Sequence, residues 1–319
     1  MKILVTGFGG FVSKHFLDML NEAVPGSSVM GVARHDPSFD LSSYKNISIS
    51  FRNADLLNRS AVDEVLNEFC PEYLLHLASV SSVAQSWQTP SDSFVNNTNI
   101  FLNVAEQVRV NKIDCRILSI GSSEEYGEVA EELLPLTEEH ILKPVSPYAV
   151  ARVSQEMLSR IYAEGFGQDI VMTRSFNHIG PGQKENFVIS SFAKQLVKMS
   201  KNRSGDHELI AGDVSIIRDF LDVRDVVKAY LLLLQKGKTG EIYNVCSGVG
   251  RSLNDVILTM ASLLDLKVDI IIDPARVRPN ENRKIIGSNK KIREDLGWDP
   301  SISFEKSIED IIEYWQKHL

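Results

Sequence analysis

Six short apolar runs follow one another in the first part of the chain, and most of them are separated by a stretch with helical periodicity. Short apolar runs predict buried strands, and runs alternating with helices predict a parallel sheet covered by helices. The fold class is therefore predicted to be α/β, with a Rossmann-type doubly wound parallel sheet. The strands are predicted at 2–5, 29–33, 47–51, 73–77, 117–120 and 170–174, and the helices around 13–20, 60–69, 94–110 and 148–165.

After residue 174 this alternation loosens, which predicts a smaller second lobe interleaved with the first. A helix is expected at 192–199, a second at 222–234 with Asp222 as its cap, and a strand at Ile242–Val245. The last segment, Phe304–His318, has its large apolar residues on one face, as in an amphipathic helix. The division predicted is 1–174 with about 221–247 in the sheet domain, and 175–220 with 248–319 in the second lobe.

Composition and charge exclude several classes of protein. The chain has 319 residues, of which 43% are hydrophobic, and a net charge of −8 with no dense basic cluster. We therefore expect neither nucleic acid nor an anionic membrane as a partner. The N-terminal residues run straight into the first strand, so no signal peptide is expected, and no apolar stretch is long enough to span a bilayer.

The three cysteines, Cys70, Cys115 and Cys246, are far apart in the sequence. They predict neither a disulfide framework nor a metal site, and we expect each to be a small buried residue in a reducing cytoplasm.

A glycine-rich turn joins the first predicted strand to the first predicted helix. Gly7 allows the tight turn, and Gly10 lets the backbone approach a pyrophosphate at the helix N-terminus, as in dinucleotide-binding sites. Ser13 occupies the position of the third glycine in such turns. This departs from the usual glycine spacing, although serine is small enough for close packing of the helix on the strand. The alternative is that the turn has only a structural role.

Arg34 and His35 follow the second predicted strand, where an NAD-binding chain would place an acidic residue for the ribose 2′-hydroxyl. An arginine near this position can accept a 2′-phosphate, which favours NADP(H) over NAD(H). A solvated surface arginine is the alternative. Asp55, after the third strand, is placed to hydrogen-bond the adenine edge.

A serine, a tyrosine and an arginine form the candidate catalytic group. Tyr148 and Arg152 are four residues apart on a predicted helix and therefore share one face. A cation there stabilises the tyrosinate, and a tyrosine can protonate the alkoxide that forms when a carbonyl accepts a hydride. Ser122 would hydrogen-bond the same substrate oxygen. Taken alone, an ordinary helical Tyr/Arg pair beside unremarkable serines is an equal alternative.

Three longer motifs carry a resemblance to a known family over essentially the whole chain. Residues 121–127 (GSSEEYG), 175–183 (SFNHIGPGQ) and 243–248 (YNVCSG) resemble extended short-chain dehydrogenases/reductases that act on nucleotide sugars. Within that group they are most similar to the bacterial GDP-6-deoxy-4-keto-D-mannose reductases (GDP-D-rhamnose synthases), and next to the GDP-mannose 4,6-dehydratases.

The resemblance implies NAD(P)H-dependent reduction of the C4 keto group of GDP-4-dehydro-6-deoxy-D-mannose to GDP-D-rhamnose, in surface polysaccharide biosynthesis in the cytoplasm. It also implies that 1–174 with 221–247 binds NAD(P) and that the second lobe binds the nucleotide sugar. Helices 94–110 and 148–165 would form the interface of a homodimer, or of a tetramer.

Residue by residue, the resemblance implies three sets of contacts, some of which overlap. The catalytic set is Tyr148, Arg152, Ser122 and Glu124. The cofactor set is Gly7, Gly9, Gly10, Phe11, Val12, Arg34, Asp55, Leu56, Leu77, Ala78, Ser79, Asn97, Tyr148 and Arg152. The substrate set is Ser81, Ser122, Ser123, Glu124, Asn177, Asn186, Phe187, Val188, Lys194, Arg218, Arg278 and Glu281, with Asn177, Arg218 and Arg278 on the diphosphate and Glu281 on the ribose or base. His76 and His178 are expected to be structural.

One departure from the family pattern affects the expected chemistry. The family motif is Tyr-x-x-x-Lys, and Arg152 occupies the lysine position. A guanidinium keeps its charge and its donors but does not release a proton at accessible pH. We therefore expect cofactor binding to be retained and proton relay to be slower.

Three other functions remain open at this point. Glu124 could abstract the C5 proton of a sugar, as a GDP-mannose 4,6-dehydratase requires, although the loop after Arg34 is shorter than in those enzymes. A nucleotide-sugar 4-epimerase is a further alternative. Arg152 and Ser13 also allow a catalytically impaired sugar-nucleotide-binding protein.

Overall fold

The structure is a computed structural model that describes residues 1–202, 207–277 and 282–319. The strands in these ranges are β1 (Lys2–Thr6), β2 (Ser28–Ala33), β3 (Ser48–Asn53), β4 (Tyr73–His76), β5 (Arg116–Ser122), β6 (Ile170–Ser175), β7 (Asn177–Ile179), β8 (Glu208–Ala211), β9 (Ile217–Asp222), β10 (Ile242–Val245), β11 (Gly250–Ser252), β12 (Asp269–Ile272) and β13 (Lys284–Ile285).

The α-helices in the same ranges are α1 (Phe11–Ala23), α2 (Arg59–Phe69), α3 (Val83–Gln88), α4 (Pro90–Phe94), α5 (Ile100–Val110), α6 (Pro147–Phe166), α7 (Val188–Lys201), α8 (Val223–Lys236), α9 (Leu253–Leu263), α10 (Lys290–Leu296) and α11 (Phe304–His318).

Seven parallel strands form the main sheet, in the order β3-β2-β1-β4-β5-β6-β10. All six apolar runs of the first half are strands of this sheet, and Ile242–Val245 is the seventh, so the predicted α/β fold class is confirmed. The strand order reverses between β1 and β4. In open α/β sheets this is where ligands bind, outside the carboxyl ends of the strands.

Helices cover both faces of the main sheet. Helices α1 and α8 bury Phe16 and Tyr230 against one face, while α2, α5 and α6 bury Leu66 and Phe101 against the other. Because both faces are covered, the central strands β1, β4, β5 and β6 are buried along most of their length instead of alternating between buried and exposed residues. Asp222 caps α8 as predicted, accepting a hydrogen bond from the backbone N–H of Arg224.

The second lobe is built around strand β9, which pairs with β7, β11 and β13, while β8 pairs with β12. Helices α7, α9 and α11 enclose a separate apolar core that includes Phe192, Ile257 and Ile308. The predicted apolar face of the last helix lies in this core. Two residues from the segment assigned to this lobe, Ile292 and Trp298, instead pack into the core of the main sheet.

The helix predicted at 94–110 is interrupted. After the short helix α4, residues Val95–Asn99 form a π-helical turn before α5 begins. Within this turn the side chain of Asn97 bonds both the N–H and the C=O of Val80, at 2.7 and 3.2 Å. A turn of this kind serves a local contact that a regular helix would miss, which explains the interruption.

The cysteine prediction is wrong at one position. Cys115 and Cys246 are buried, but Cys70 is exposed. It caps the end of α2 in the left-handed conformation, with φ +44°, which directs the chain away from the core. No helix within the described ranges combines the length and apolarity needed to cross a membrane.

Candidate active site

The turn after β1 has the shape of a phosphate cradle. Gly7 has φ +68°, and a Cβ atom there would lie 2.8 Å from the backbone nitrogen of Ala78, so only glycine fits. Gly10 caps α1 without any side-chain hydrogen bond, which leaves the first-turn N–H groups of α1 directed out of the helix end. Such a helix end attracts an anion, so the turn fits a dinucleotide pyrophosphate.

Side-chain hydrogen bonds hold the two strand ends at this switch point together. Thr6 Oγ1 accepts the N–H of Ala78 at 3.1 Å and also bonds His76 Nδ1 at 3.1 Å. Burial lowers the pKa of His76 to about 3, so its ring is neutral at physiological pH. Ser13 at the third glycine position is fully buried, and its hydroxyl has no hydrogen-bond partner among the described residues.

The residues predicted to hold the adenosine half of the cofactor lie beyond β2 and β3. Arg34 and Asp55 are exposed there, and Asp55 Oδ1 accepts the N–H of Leu57 at 3.0 Å. Leu56 is buried in the core, so only its main chain is available to a ligand. Asn97 is also buried and is committed to Val80, and it therefore shapes the loop after β4. The other predicted cofactor residues lie at this edge: Gly9 on the turn after β1, Phe11 and Val12 in the first turn of α1, and Leu77, Ala78 and Ser79 after β4.

The predicted catalytic pair is formed at the start of α6. Ser146 caps this helix by accepting the N–H of Ala149 at 3.1 Å, and Pro147 occupies its first turn. Tyr148 and Arg152 then lie one turn apart, and Arg152 Nε donates to Tyr148 Oη at 3.1 Å. Both side chains are buried. Because Nε–H is the donor, the phenol keeps its own proton for a third group.

Ser122 ends β5 and caps the short turn Ser123–Tyr126, which packs against α6. Its hydroxyl accepts the N–H of Glu124 at 3.2 Å and remains able to donate its own proton. Its backbone N–H donates to Glu125 Oε1 at 2.6 Å. Ser123 is buried, whereas Glu124 is partly exposed. The turn therefore presents a hydroxyl and a carboxylate next to α6.

The predicted substrate residues are spread over the second lobe and its border. Asn177 begins β7 and is partly exposed, Arg218 lies on β9 and is largely buried, and Ser81 is exposed after β4. Asn186, Phe187 and Val188 lead into α7, with Phe187 as its cap. Arg278 and Glu281 lie outside the described residues.

Lys194 makes contacts within its own lobe. Its ammonium forms an ion pair with Glu185 and lies 5.1 Å from the centre of the Trp315 ring. A diphosphate contact by Lys194 would therefore have to compete with Glu185.

Two features of the site are absent from the sequence-based prediction. Gln155 accepts a hydrogen bond from Arg152 at 2.8 Å, and Asp219 accepts backbone N–H groups from Ser247, Gly248 and Gly287. Burial raises the pKa of Asp219, and those donors act in the opposite direction. Gln155 could have been found from its place in the 148, 152, 155, 159 stripe of α6, whereas Asp219 has no comparable local signal.

Comparison with known proteins places this architecture in one family. The family model described as GDP-mannose 4,6 dehydratase matches residues 4–311. The GDP-6-deoxy-D-mannose reductase of Pseudomonas aeruginosa is 34% identical over 318 residues, covering 100% of this chain and 98% of the relative.

Two solved structures are similar over their full length. RMD from Pseudomonas aeruginosa, complexed with NADPH, has a TM-score of 0.86 at 31% identity and covers 100% of both chains. The UDP-glucose 4-epimerase of Thermotoga maritima, with UDP-glucose, has a TM-score of 0.88 at 28% identity, covering 100% of this chain and 99% of the other. The resemblance read from the motifs is confirmed. The chain belongs to the GDP-mannose 4,6-dehydratase family, among the NAD(P)-dependent nucleotide-sugar oxidoreductases of the extended short-chain dehydrogenase/reductase type.

Proposed function

We propose that the protein reduces the C4 keto group of a GDP-4-keto-6-deoxy-hexose, converting GDP-4-dehydro-6-deoxy-D-mannose to GDP-D-rhamnose in the cytoplasm. The observation that carries the proposal is the buried hydrogen bond from Arg152 Nε to Tyr148 Oη, next to the Ser122 turn. The 34% identity to a GDP-6-deoxy-D-mannose reductase supports the choice of substrate.

In this proposal the side chains of the site transfer one proton to the C4 oxygen of the substrate. Ser122 donates a hydrogen bond to the C4 oxygen, and Tyr148 gives that oxygen its phenol proton as negative charge develops there. Arg152 stabilises the resulting tyrosinate by its charge and by the Nε–H bond. Because the guanidinium does not exchange its proton, Tyr148 is reprotonated by another route, which would slow turnover without changing the reaction type.

NADP(H) is the proposed cofactor, with NAD(H) as the alternative, and when bound it supplies the hydride. The cradle of Gly7 and Gly10 fits the pyrophosphate, and Arg34 stands exposed where a 2′-phosphate would lie. The NADPH complex of the Pseudomonas aeruginosa relative supports the phosphorylated form.

The diphosphate of the substrate is proposed to bind between the lobes. Asn177 and Arg218, on neighbouring strands β7 and β9, are the described candidates for this contact. Asp219 anchors Ser247, Gly248 and Gly287 around the base of β9, which supports a fixed position for that strand. Arg278 and Glu281 stay predictions for the diphosphate and the ribose or base.

One observation favours a second function. Glu124 lies on the same turn as Ser122, beside α6, so it places a carboxylate where a 4,6-dehydratase would need a base for the C5 proton. The family model bears the name of that activity. A 4-epimerase needs no such base and is supported by the fold alone.

The deciding experiment supplies GDP-4-keto-6-deoxymannose with NADPH and follows the nicotinamide absorbance. Stoichiometric loss of NADPH with formation of GDP-rhamnose is the expected result. No loss of NADPH, together with formation of a keto sugar from GDP-mannose without added cofactor, would replace the reductase by the dehydratase. Tight binding without either turnover would identify an impaired binding protein.

A homodimer is the proposed assembly. Phe94, Val150, Met157, Ile161 and Phe166 are exposed on α4 and α6, where the resemblance implies a four-helix interface. An apolar surface of this kind is typical of subunit contacts. Sedimentation velocity is expected to show a dimer or tetramer, and Ile161→Glu is expected to shift it to the monomer. A wild-type monomer would contradict the proposal.

A further inference from the structure

The guanidinium of Arg152 is buried but is surrounded by neutral acceptors. Besides Tyr148 Oη, it donates to the carbonyl oxygen of Ile120 at 3.1 Å and to Gln155 Oε1 at 2.8 Å, both through Nη1. Across the part of the chain that the structure describes, no carboxylate forms an ion pair with it. A buried arginine without a counterion is unusual, since burying a charge is costly unless it is paired.

The amide of Gln155 has only one orientation that satisfies its neighbours. Its Nε2 donates to Ser119 Oγ at 2.9 Å and to the carbonyl oxygen of Ile120 at 3.1 Å. Ser159 holds Ser119 from the other side, with 2.9 Å between the two hydroxyl oxygens. Because Nε2 is committed to these acceptors, Oε1 must face Arg152.

The other titratable groups near Arg152 are also neutral at physiological pH. His76, on β4, is neutral because burial lowers its pKa to about 3, and Tyr230, on α8, is neutral because burial raises its pKa. Both side chains feel the charge of Arg152, and Tyr148 on α6 accepts its Nε–H bond. Within residues 1–202, 207–277 and 282–319, the positive charge of Arg152 is therefore not paired with a carboxylate.

We propose that Gln155 is a positioning residue of the active site, holding Arg152 by a neutral acceptor so that Nε points at Tyr148 and the full charge acts on the tyrosinate. This inference rests on the proposed roles of Tyr148 and Arg152. A glutamate at position 155 would still accept a hydrogen bond from Arg152, but it would cancel the charge of the guanidinium and, like methionine, would lose the Nε2 bonds to Ser119 and Ile120.

The test separates charge from geometry by comparing two variants. Gln155→Glu is expected to move the basic limb of the pH–rate profile to higher pH by about one unit, because the tyrosinate loses net stabilisation. Gln155→Met removes the acceptor without adding charge, and is expected to lower kcat on the order of tenfold with an unchanged Kd for NADPH. Ser154→Ala, on the same helix but bonded only to Val150, is the matched control and is expected to behave as wild type.

A second readout does not depend on the identity of the substrate. The ionisation of Tyr148 is followed in a pH titration by ultraviolet absorbance. The absorbance of the same protein carrying Tyr148→Phe is subtracted at each pH, so that the difference reports Tyr148. A higher midpoint in Gln155→Glu than in wild type supports the inference even if the proposed reaction is not observed. Identical Tyr148 ionisation midpoints in wild type and Gln155→Glu would overturn the inference. If Gln155→Glu does not fold, an unchanged kcat in Gln155→Met would overturn it.

Discussion

Arg174 donates to both carboxylate oxygens of Glu156, with each N–O distance 2.9 Å and each side chain only 3% exposed. Burial alone would raise the pKa of Glu156, but the hydrogen bonds from Arg174 and Glu125, together with the charges of Arg174 and Arg160, outweigh burial and lower that pKa. Glu125 lies against the same carboxylate, and burial raises its pKa. Its buried Oε2 has no donor among the described residues, which is the situation of a protonated carboxyl that itself donates to Glu156.

The neutral state of Glu125 predicts a loss of stability in alkali. The pKa of Glu125 is higher in the folded state than in the unfolded state. Its contribution to the stability of the fold is therefore complete below the unfolded-state pKa and is lost as the pH rises through the folded-state pKa. In Glu125→Gln the side chain still accepts the N–H of Ser122 and still donates to Glu156, but it cannot ionise. Denaturant unfolding should therefore show that, between about pH 6 and 9, the free energy of unfolding of wild type falls by up to about 1.4 kcal/mol per pH unit relative to that of the variant. Parallel pH dependences would mean that Glu125 is not neutral.

The two arginines that share Glu156 should differ sharply in their effect on stability. Arg174→Met removes the buried partner of this carboxylate and leaves it with the partly exposed Arg160, and is expected to lower the free energy of unfolding by about 3–5 kcal/mol. Arg160 bonds the same carboxylate but is one-third exposed, so Arg160→Ala is expected to cost about 0–1 kcal/mol. Equal losses in the two variants, measured by urea unfolding, would argue against a buried ion pair as the cause.

Removal of the Tyr148 hydroxyl should abolish the chemistry and spare the fold. Among the described residues, the hydroxyl bonds the side chain of Arg152 alone, so Tyr148→Phe removes one hydrogen bond from a buried site. We expect kcat to fall about 10²–10⁴-fold, with Tm and NADPH affinity nearly unchanged. Stopped-flow single-turnover kinetics measure the chemical step directly. A variant with wild-type hydride transfer would assign the proton to another group.

Arg152→Lys restores the family residue but not the surroundings that the guanidinium requires. An ammonium is a point charge that cannot bond Tyr148, Ile120 and Gln155 in the same fixed geometry. We therefore expect kcat/KM to stay the same or to fall several-fold. A large gain in kcat would instead support the view that Arg152 impairs an ancestral activity.

Arg34 should decide between the two nicotinamide cofactors. Its side chain is exposed after β2, and its backbone oxygen accepts a hydrogen bond from Asn53 that a substitution would not affect. Loss of a charge-assisted bond worth about 1.5–3 kcal/mol predicts that Arg34→Ala weakens NADPH binding about 10–100-fold and leaves NADH binding unchanged. Arg52→Ala, on the neighbouring strand and paired with Glu64 and Glu68, is the control. Equal effects on both cofactors would place the 2′-phosphate elsewhere.

The parts of the fold that depend on local pattern could be predicted from the sequence. Strands β1 to β6 and the face of α11 follow from runs of apolar residues, because burial on both faces leaves a continuous signal. The sequence analysis predicts none of the strands β7, β8, β9 and β12, because each owes its place to partners distant in the sequence.

The candidate site divides in the same way. Tyr148 and Arg152 are one helical turn apart, so sequence spacing alone places them together, and the 3.1 Å hydrogen bond confirms that placement. Glu125, Glu156 and Arg174 look like surface residues in sequence because charged side chains are rarely buried. Their contact requires the turn after β5, helix α6 and strand β6 to come together in the fold. Local sequence patterns do not predict that.

The way in which Asp225 joins the two lobes has a mechanical consequence. From α8, on the main sheet, its carboxylate accepts the N–H groups of Ser301 and Ile302 and the hydroxyl of Ser301, just before α11 enters the other lobe. The chain also passes between the lobes after β6, β9 and β10. A cut in any one of these connections would leave the pieces held by the others, so a nicked protein should stay assembled. A rigid-body opening of the two lobes would have to break the Asp225 hydrogen bonds and move all of these connections at once.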